Sequence, residues 1–301
     1  MAKKSVTKRT VIGAGVLLLV ALPALLWAAT AGGGGARSPW QLAFILKGQD
    51  KSIAMPMALY IDGERERYYV VASGDNRLVS FDRDGNYLRD FTADGNLHRP
   101  HHMARLADGT LLVVERGRNS LTKIDLQRRT TEPVVLSHQG QEIFADRLEF
   151  AGGELYLLDR ASGRVLRLDQ QLQVVGTYEL PPGVGNLVDF TVVDNRVWLL
   201  DQQNRQIITV GADGSSRHPW SVAEVSFPVS LAVDQSGTVY VLDRHRGSVV
   251  VYGRNGEYLY RFLSKGHGRQ HLYFPRELRF DPWGRLCVVD QGNSRVLVFR
   301  R

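Results

Sequence analysis

One short pattern, repeated six times, constrains the fold of this chain more than any other feature. Each copy has two or three apolar residues, usually an Asp, a short polar turn and then a run in which apolar residues alternate. The copies begin with Val70-Val71-Ala72, Val113-Val114-Glu115, Leu157-Leu158-Asp159, Leu199-Leu200-Asp201, Val241-Leu242-Asp243 and Val288-Val289-Asp290. Their third residues lie 42 to 47 positions apart. Such a period predicts one supersecondary unit that is copied around a common core.

Each copy contains four candidate β-strands. The apolar residues of the pattern form one strand, and the alternating run after the turn, such as residues 248–252, forms the next. A third strand precedes the pattern and often begins with proline, as at Pro228 and Pro275. A fourth strand follows Asp-Gly at Asp84 or Asn-Gly at Asn255, which is a strong hairpin signal. Four antiparallel strands in a unit of this length are typical of a propeller blade.

The unit resembles the NHL repeat, which has a leading Pro, an Asp-x-x-Gly turn, an apolar run to Asp and an Arg-led strand. The fifth and sixth copies match most fully, while the fourth lacks the Pro and has a weak outer strand near residues 217–220. The resemblance covers residues 40–301 and implies an all-β, six-bladed β-propeller. It implies little about activity, because one fold supports many functions.

The two ends of the repeat region are expected to join. The sixth copy ends at Arg301 after its third strand, and an unassigned strand, residues 41–46, stands before the first copy. We expect this strand to complete the sixth blade and close the ring, which removes an exposed sheet edge.

The first 31 residues predict an N-terminal helix that serves as a signal peptide or a membrane anchor. Four basic residues precede Val11, and no charge occurs from Val11 to Ala31. Ala29-Thr30-Ala31 favours cleavage, whereas the length of the apolar run favours a transmembrane anchor, so both alternatives stay open. In either case the rest of the chain is exported, to the periplasm or outside the cell. If uncleaved, residues 11–31 contact the inner membrane, and residues 32–39 form a flexible linker.

Charge and cysteine content narrow the function classes. The formal net charge is +7, but the basic head supplies four of these charges and leaves +3 for the exported part. This is no nucleic-acid footprint. Cys287 is the only cysteine and lies in an apolar run, so we interpret it as a buried small hydrophobe. The repeated Asp residues are interpreted as structural, because an Asp before a tight turn accepts hydrogen bonds from the turn amides.

The start of each innermost strand is the candidate binding region, because these residues surround the mouth of the central channel. The two residues after each leading position are Met57-Ala58, His101-His102, Asp146-Arg147, Val188-Asp189, Val229-Ser230 and Arg276-Glu277. Since side chains alternate along a strand, one member of each pair is expected to face the channel. The candidate binding residues are His101, His102, Asp146, Arg147, Asp189, Arg276 and Glu277.

Two interpretations of this polar mouth stay open. The functional one is a site for an anionic or metal-bound ligand, in which His101, His102 and Glu277 hold a divalent ion such as Ca²⁺ or Zn²⁺. The structural one is charge balance between blades three and six, which face each other across a six-fold ring. Most histidines, including His98, His218 and His267, are predicted in loops that lie on the same face as the mouth.

A binding or scaffold module with a protein partner is the first functional hypothesis. Loop aromatics Trp220, Tyr273 and Phe274 hint at a contact surface, although packing between blades explains them as well. The alternative is a metal-assisted lyase or hydrolase, with His102 as general base. Six-bladed relatives include lactonases and lyases. The lactonases place a metal-binding Glu in the first innermost strand, which here reads Met55-Pro56-Met57-Ala58.

Overall fold

Almost all regular structure is β-strand in a computed structural model that describes residues 1–2 and 38–301. The strands up to the third blade are β1 (Gln41–Leu46), β2 (Pro56–Asp62), β3 (Arg67–Ala72), β4 (Arg77–Asp82), β5 (Tyr87–Phe91), β6 (Pro100–Arg105), β7 (Leu111–Glu115), β8 (Ser120–Asp125), β9 (Thr130–Val134), β10 (Leu136–His138), β11 (Gln141–Ile143), β12 (Ala145–Ala151), β13 (Glu154–Asp159), β14 (Arg164–Leu168) and β15 (Val174–Thr177). The later strands are β16 (Leu187–Val193), β17 (Arg196–Asp201), β18 (Gln206–Gly211), β19 (Ser216–Ser221), β20 (Pro228–Val233), β21 (Val239–Asp243), β22 (Ser248–Tyr252), β23 (Tyr258–Phe262), β24 (Glu277–Phe280), β25 (Leu286–Asp290) and β26 (Arg295–Arg300).

These strands form six antiparallel blades of four strands each. Blades one to five are β2–β5, β6–β9, β12–β15, β16–β19 and β20–β23, each in chain order from the innermost strand outward. The innermost strands contact one another in turn, and the last of them, β24, contacts β2. The ring is therefore closed, and the predicted six-bladed β-propeller is confirmed.

The sixth blade is completed by the first strand, as predicted. Its strand order is β1-β26-β25-β24. The antiparallel pairing of β1 with β26 runs from Gln41 opposite Arg300 to Leu46 opposite Val296. Leu46 is fully buried, and Trp40 just before β1 packs against Tyr240 of blade five. The N-terminal strand thus joins the two ends of the ring and extends the core of its neighbours.

Strand direction defines two faces of the ring. We call the face on which the innermost strands start the upper face and the opposite one the lower face. Because successive strands alternate in direction, two kinds of connection lie on the upper face. They are the turns between second and third strands and the loops that lead to the next innermost strand.

The repeated Asp residues hold these upper connections together, which confirms their structural interpretation. The carboxylate of Asp243 accepts hydrogen bonds from the backbone N–H groups of Ser226 and Phe227, in the loop before β20. It also accepts from His245 and Arg246, in the turn after β21. Asp201 bonds the corresponding two segments of blade four. In these two blades, one carboxylate therefore fixes both a loop and a turn that frame the channel mouth.

Apolar side chains from neighbouring blades pack into cores between the sheets. One such core combines Tyr68 and Val70 of blade one with Cys287 and Val298 of blade six. Cys287 is 1% exposed, and burial raises the pKa of its thiol well above the ordinary value. The interpretation of Cys287 as a buried hydrophobe is confirmed, since a thiol that stays protonated is a poor nucleophile.

A two-stranded hairpin of β10 and β11, which was not predicted, lies between blades two and three. Its turn places Gln139 and Gly140 at positive φ, 51° and 77°. Two residues in this conformation form the kind of turn that favours tight hairpins. The sequence carried only a weak signal here, because Gln-Gly is not among the dipeptides typical of such turns.

The predicted signal peptide or anchor, residues 1–31, lies outside the described residues apart from residues 1–2. The predicted linker, residues 32–39, is described only at residues 38 and 39. Within the described ranges, no helix is both long enough and apolar enough to cross a membrane. The N-terminal assignments therefore stay predictions.

Candidate functional site

A β-bulge lies at the start of the innermost strand in blades one to five and changes which side chains reach the channel. In blade two, Pro100 pairs with Glu115 and His102 with Val114, so His101 is the extra residue. The same irregularity occurs at Asp146 in blade three. A bulge interrupts the alternation of side chains. In blades two and three, both members of the pair, and not one as expected, therefore find polar partners at the channel.

Three first members of these pairs form a cluster at the upper mouth: His101, Asp146 and Arg276. His101 Nε2 lies 3.5 Å from Asp146 Oδ1, and Arg276 Nη2 donates to His101 Nε2 over 3.3 Å. Arg116, in the turn after β7, forms an ion pair with Asp146. Burial lowers the pKa of His101 to about 2 despite the nearby Asp146. The imidazole is therefore neutral at neutral pH, and its Nε2 lone pair accepts the bond from Arg276.

Arg276 is the least compensated charge of the upper mouth. Within residues 38–301, no carboxylate lies within ion-pair distance of its guanidinium, and its buried Nε has no hydrogen-bond partner. Burial lowers the pKa of Arg276 to about 10, and the cations Arg147, Arg116 and Arg244 act in the same direction while Asp146 opposes them. A buried cation without a carboxylate partner is costly, and an anion placed against it removes that cost.

Asp146 remains ionised under all ordinary conditions. Burial by itself raises the pKa of this carboxyl, but the guanidinium groups of Arg147 and Arg116 lower it to about 2. Within this group of side chains, the carboxylate of Asp146 faces the guanidinium groups of Arg116 and Arg276, with Arg244 nearby. These four groups carry more positive than negative charge, which favours an anionic ligand.

The second members of the pairs close the channel beneath this mouth. The layer consists of Ala58, His102, Arg147, Asp189, Ser230 and Glu277, whose exposed fractions lie between 0% and 3%. Glu277 is its centre, with Oε1 accepting from His102 Nε2 at 3.1 Å and from Arg147 at 3.4 Å. Arg147 also lies 3.6 Å from Asp189. We call this layer the polar plug.

The polar plug also satisfies the free edges of the innermost strands. An innermost strand has no pairing partner on its channel side, so its edge N–H groups need other acceptors. Side chains of the plug accept these bonds from the following blade. They accept as Glu277 from Leu59, His102 from Leu148, Asp189 from Leu231 and Ser230 from Leu278. The polarity that marked these positions in the sequence thus has a structural purpose.

The charge-balance interpretation is confirmed in part. Arg147 of blade three and Glu277 of blade six lie within ion-pair distance across the ring, as that interpretation required. The other two groups do not pair with each other, because Asp146 pairs with Arg116 and Arg276 contacts His101. Of these four charged groups, Arg276 alone has no oppositely charged partner within ion-pair distance among the described residues.

The geometry disfavours His102 as a general base. Its Nδ1 accepts the N–H of Leu148 over 3.3 Å, which places the proton on Nε2, where it is donated to Glu277. Burial lowers the pKa of His102, although Glu277 acts in the opposite direction. The ring is 1% exposed. No free lone pair is left to take a proton from a substrate.

The hypothesis of a metal held by His101, His102 and Glu277 finds no support in this geometry. His101 belongs to the upper mouth, whereas His102 and Glu277 belong to the polar plug, where arginine already neutralises the carboxylate. Across the described part of the chain, no group of three or more His, Cys, Asp or Glu side chains is placed to hold a metal ion.

Sequence reasoning missed several residues of the site. Arg116 and Arg244 each follow directly after a repeated acidic position, Glu115 and Asp243, so the register of the repeat carried a usable signal for them. Glu149 and Arg279 lie two residues beyond Arg147 and Glu277 on the same strands and form a third polar layer with Thr191. Their period-two spacing from the predicted pairs was the signal.

The loop aromatics and histidines divide into different environments. Trp220 packs against Tyr252 inside a blade interface, at 5.4 Å between ring centroids. Tyr273 and Phe274 contact each other on the upper face, where the Lys265 ammonium lies 5.0 Å from the Phe274 ring. His218 lies on β19 and not in a loop, because the weak outer strand of blade four forms.

Comparisons with known proteins support the fold and leave the activity open. Residues 226–252 match the family model of the NHL repeat. No curated protein sequence matches the chain at a significant level. A catalytically inactive virginiamycin B lyase from Staphylococcus aureus with quinupristin is 11% identical, with 82% of this chain and 81% of that chain covered and a TM-score of 0.61.

Two further solved structures show how widely this architecture is used. A gluconolactonase from Xanthomonas campestris is 17% identical over 82% of this chain and 88% of its own, with a TM-score of 0.58. The Cps50 (Swd1) β-propeller domain of Myceliophteria thermophila is 11% identical over 87% and 99%, with a TM-score of 0.62. At these identities the likeness shows the fold alone. The predicted six-bladed β-propeller with an NHL repeat is thus confirmed.

Proposed function

We propose that this chain is an exported β-propeller binding module whose upper mouth takes an anionic group, a carboxylate or a phosphate, from a protein partner. One observation carries the proposal: Arg276 is a largely buried cation whose Nε has no hydrogen-bond partner in the described part of the chain. Arginine is well suited to this recognition, because its planar fork can bond two oxygens of a carboxylate or phosphate at once.

The upper-face turns extend the positive charge outward from the mouth. Arg118, Arg205 and Arg246 are exposed, and none lies within ion-pair distance of a carboxylate among residues 38–301. On the lower face, Arg83 is paired with Glu66 and Arg301 with Asp234, whereas the exposed Arg129 and Arg254 have no carboxylate within ion-pair distance among residues 38–301. Exposed, unpaired arginines around the mouth favour an acidic partner, because complementary charge speeds association and orients it.

The mouth is held rigid before any ligand arrives. The polar plug beneath it is buried and hydrogen-bonded, and the repeated Asp residues fix the surrounding loops. Preorganised groups lose little entropy on binding, which favours affinity. A rigid, charged rim on a closed ring supports a scaffold or assembly role better than a role that needs a mobile lid.

The place of action is proposed from the sequence of the first 31 residues. A basic head and an uncharged run from Val11 to Ala31 support export, with release by cleavage or retention at the inner membrane. The partner would then be a periplasmic, extracellular or membrane protein.

The metal-assisted lyase or hydrolase alternative rests on fold likeness to enzymes such as virginiamycin B lyase. The residues predicted to hold its metal or act as its base, His101, His102 and Glu277, are engaged in contacts that disfavour both roles. His102 has both ring nitrogens engaged, and His101 is neutral and accepts a bond from Arg276. Binding is therefore the better supported function.

Replacing Arg276 tests the proposed site. Inorganic phosphate, titrated into the full chain at constant ionic strength, should bind the wild type and bind Arg276→Met at least about tenfold more weakly. Methionine keeps most of the apolar stem and removes the charge. Isothermal titration calorimetry measures the difference, and Arg128→Met on the lower face serves as the control. Equal phosphate affinity in wild type and Arg276→Met would rule out the mouth as the anion site.

A further inference from the structure

The lower half of the channel contains a second polar recess that is separate from the upper mouth. A cavity of about 180 Å³ is lined by residues of β12, β16, β20 and β24, including Glu149, Thr191 and Arg279. A neighbouring cavity of about 300 Å³ also reaches Glu149 and Arg279, from the side of Tyr60. The buried polar plug lies between this lower chamber and the upper mouth.

Glu149 has hydrogen-bonding capacity that the protein does not use. Its Oε1 accepts from the backbone N–H of Val192 at 2.8 Å and from the hydroxyl of Thr191 at 3.1 Å. Its Oε2 is buried and has no hydrogen-bond partner among the described residues. Burial raises the pKa of Glu149, although Arg279 opposes the change. A buried carboxylate oxygen without a donor costs free energy that a ligand can restore.

Arg279 does not donate a hydrogen bond to the unpaired Oε2 of Glu149. Its Nε donates to Glu277 at 2.8 Å, whereas its Nη1 lies 3.9 Å from Glu149 Oε2, beyond hydrogen-bond distance. Around the chamber, the carboxylates of Glu149, Asp189 and Glu277 face the two guanidinium groups of Arg147 and Arg279. When Glu149 is ionised, the balance is one negative charge in excess, which is the opposite of the upper mouth.

The walls of the chamber carry polar groups together with several apolar and aromatic side chains. Phe190, Leu231 and Phe280 line the smaller cavity, and Tyr60 and Phe150 line the larger one. Aromatic faces attract organic cations, and apolar walls favour a ligand with a hydrocarbon body. The lining therefore combines one unpaired carboxylate oxygen with aromatic and apolar side chains that suit an alkyl or aryl group.

We propose that the lower chamber binds a small organic cation, a primary amine on an apolar body, whose ammonium group donates to Oε2 of Glu149. The charge excess, the buried oxygen and the aromatic walls each point to this ligand class. The proposal is independent of the anion site, because the two sites lie on opposite sides of the polar plug and use different residues.

Paired probes test this site in the full chain. Benzylamine carries the expected ammonium group, and benzyl alcohol has the same ring and a similar size without the charge. Calorimetry should show binding of benzylamine to the wild type and to Arg276→Met. Benzyl alcohol should bind at least about tenfold more weakly than benzylamine.

Two variants locate the binding. Glu149→Gln keeps an acceptor for Val192 and removes the charge, and Ala232→Leu adds volume at another residue that lines the smaller cavity. Each variant should weaken the affinity for benzylamine at least about tenfold. The use of two different variants keeps the test valid if one of them fails to fold. No benzylamine binding to the wild type, equal binding of the alcohol, or unchanged affinity in both variants overturns the proposal.

Discussion

Removal of residues 1–46 should abolish the cooperative unfolding of the propeller. The deletion takes away β1, so β26, the third strand of blade six, loses its outer pairing partner from Gln41 to Leu46. It also removes the buried side chains of Trp40 and Leu46, whose burial alone contributes about 3–6 kcal/mol. This is a large share of the roughly 5–15 kcal/mol that stabilises a typical domain. Differential scanning calorimetry measures the effect.

A shorter deletion is the matched control for this result. Removing residues 1–37 leaves Trp40 and β1 in place and should leave the unfolding transition unchanged. The longer deletion should in addition promote aggregation, because β26 then presents an unpaired edge. If both deletions unfold at the same temperature with the same enthalpy, the N-terminal strand does not stabilise the ring.

Glu277→Ala should be the most damaging single substitution in the channel, with an expected loss of about 3–5 kcal/mol in the free energy of unfolding. Glu277 accepts bonds from the Leu59 backbone, His102, Arg147 and Arg279 while being 1% exposed. Its removal takes the main counter-charge from Arg279 and one of two counter-charges from the buried Arg147, which keeps Asp189. Urea unfolding measures the loss, and Glu142→Ala, an exposed glutamate on β11, should change stability by less than about 0.5 kcal/mol.

The same substitution should change how stability depends on pH. Burial alone would raise the pKa of Glu277, but Arg279, His102 and Arg147 hold it well below its usual range. A carboxyl whose pKa is lower in the folded state stabilises the protein at pH values above the pKa that the group has in the unfolded chain, about 4.3. That stabilisation is lost as the pH falls toward the folded-state pKa. Glu277→Ala should therefore flatten the acid side of the stability curve, and an unchanged slope would contradict this role.

The fold was predictable because the same strand pattern occurs in six copies along the chain. A single ambiguous strand, such as the outer strand of blade four near His218, is corrected by its register with the other five copies. The position of β1 followed from a missing strand and an unassigned one. The hairpin of β10 and β11 was missed because it occurs once and its Gln-Gly turn is a weak signal.

The site was predictable in its location but not in its contacts. The channel-mouth residues were identified from register, yet their division into two layers depends on bulges at residues such as His101 and Asp146. Bulges have no clear sequence signal in this chain. The unpaired state of Arg276 was beyond sequence reasoning too, because it depends on Asp146 pairing with Arg116 from a neighbouring turn.

Anomalous diffraction offers the most direct examination of the upper mouth. Crystals of the full chain grown with selenate, a tetrahedral oxyanion like phosphate, should show a selenium peak at the upper mouth. One or more selenate oxygens should lie within hydrogen-bond distance of the Arg276 guanidinium, with Arg116 or Arg244 as a second contact. In Arg276→Met crystals the peak should disappear. Selenate found only at other arginines, with Arg276 still bonded to His101 alone, would contradict the proposal that this mouth recognises an anionic partner.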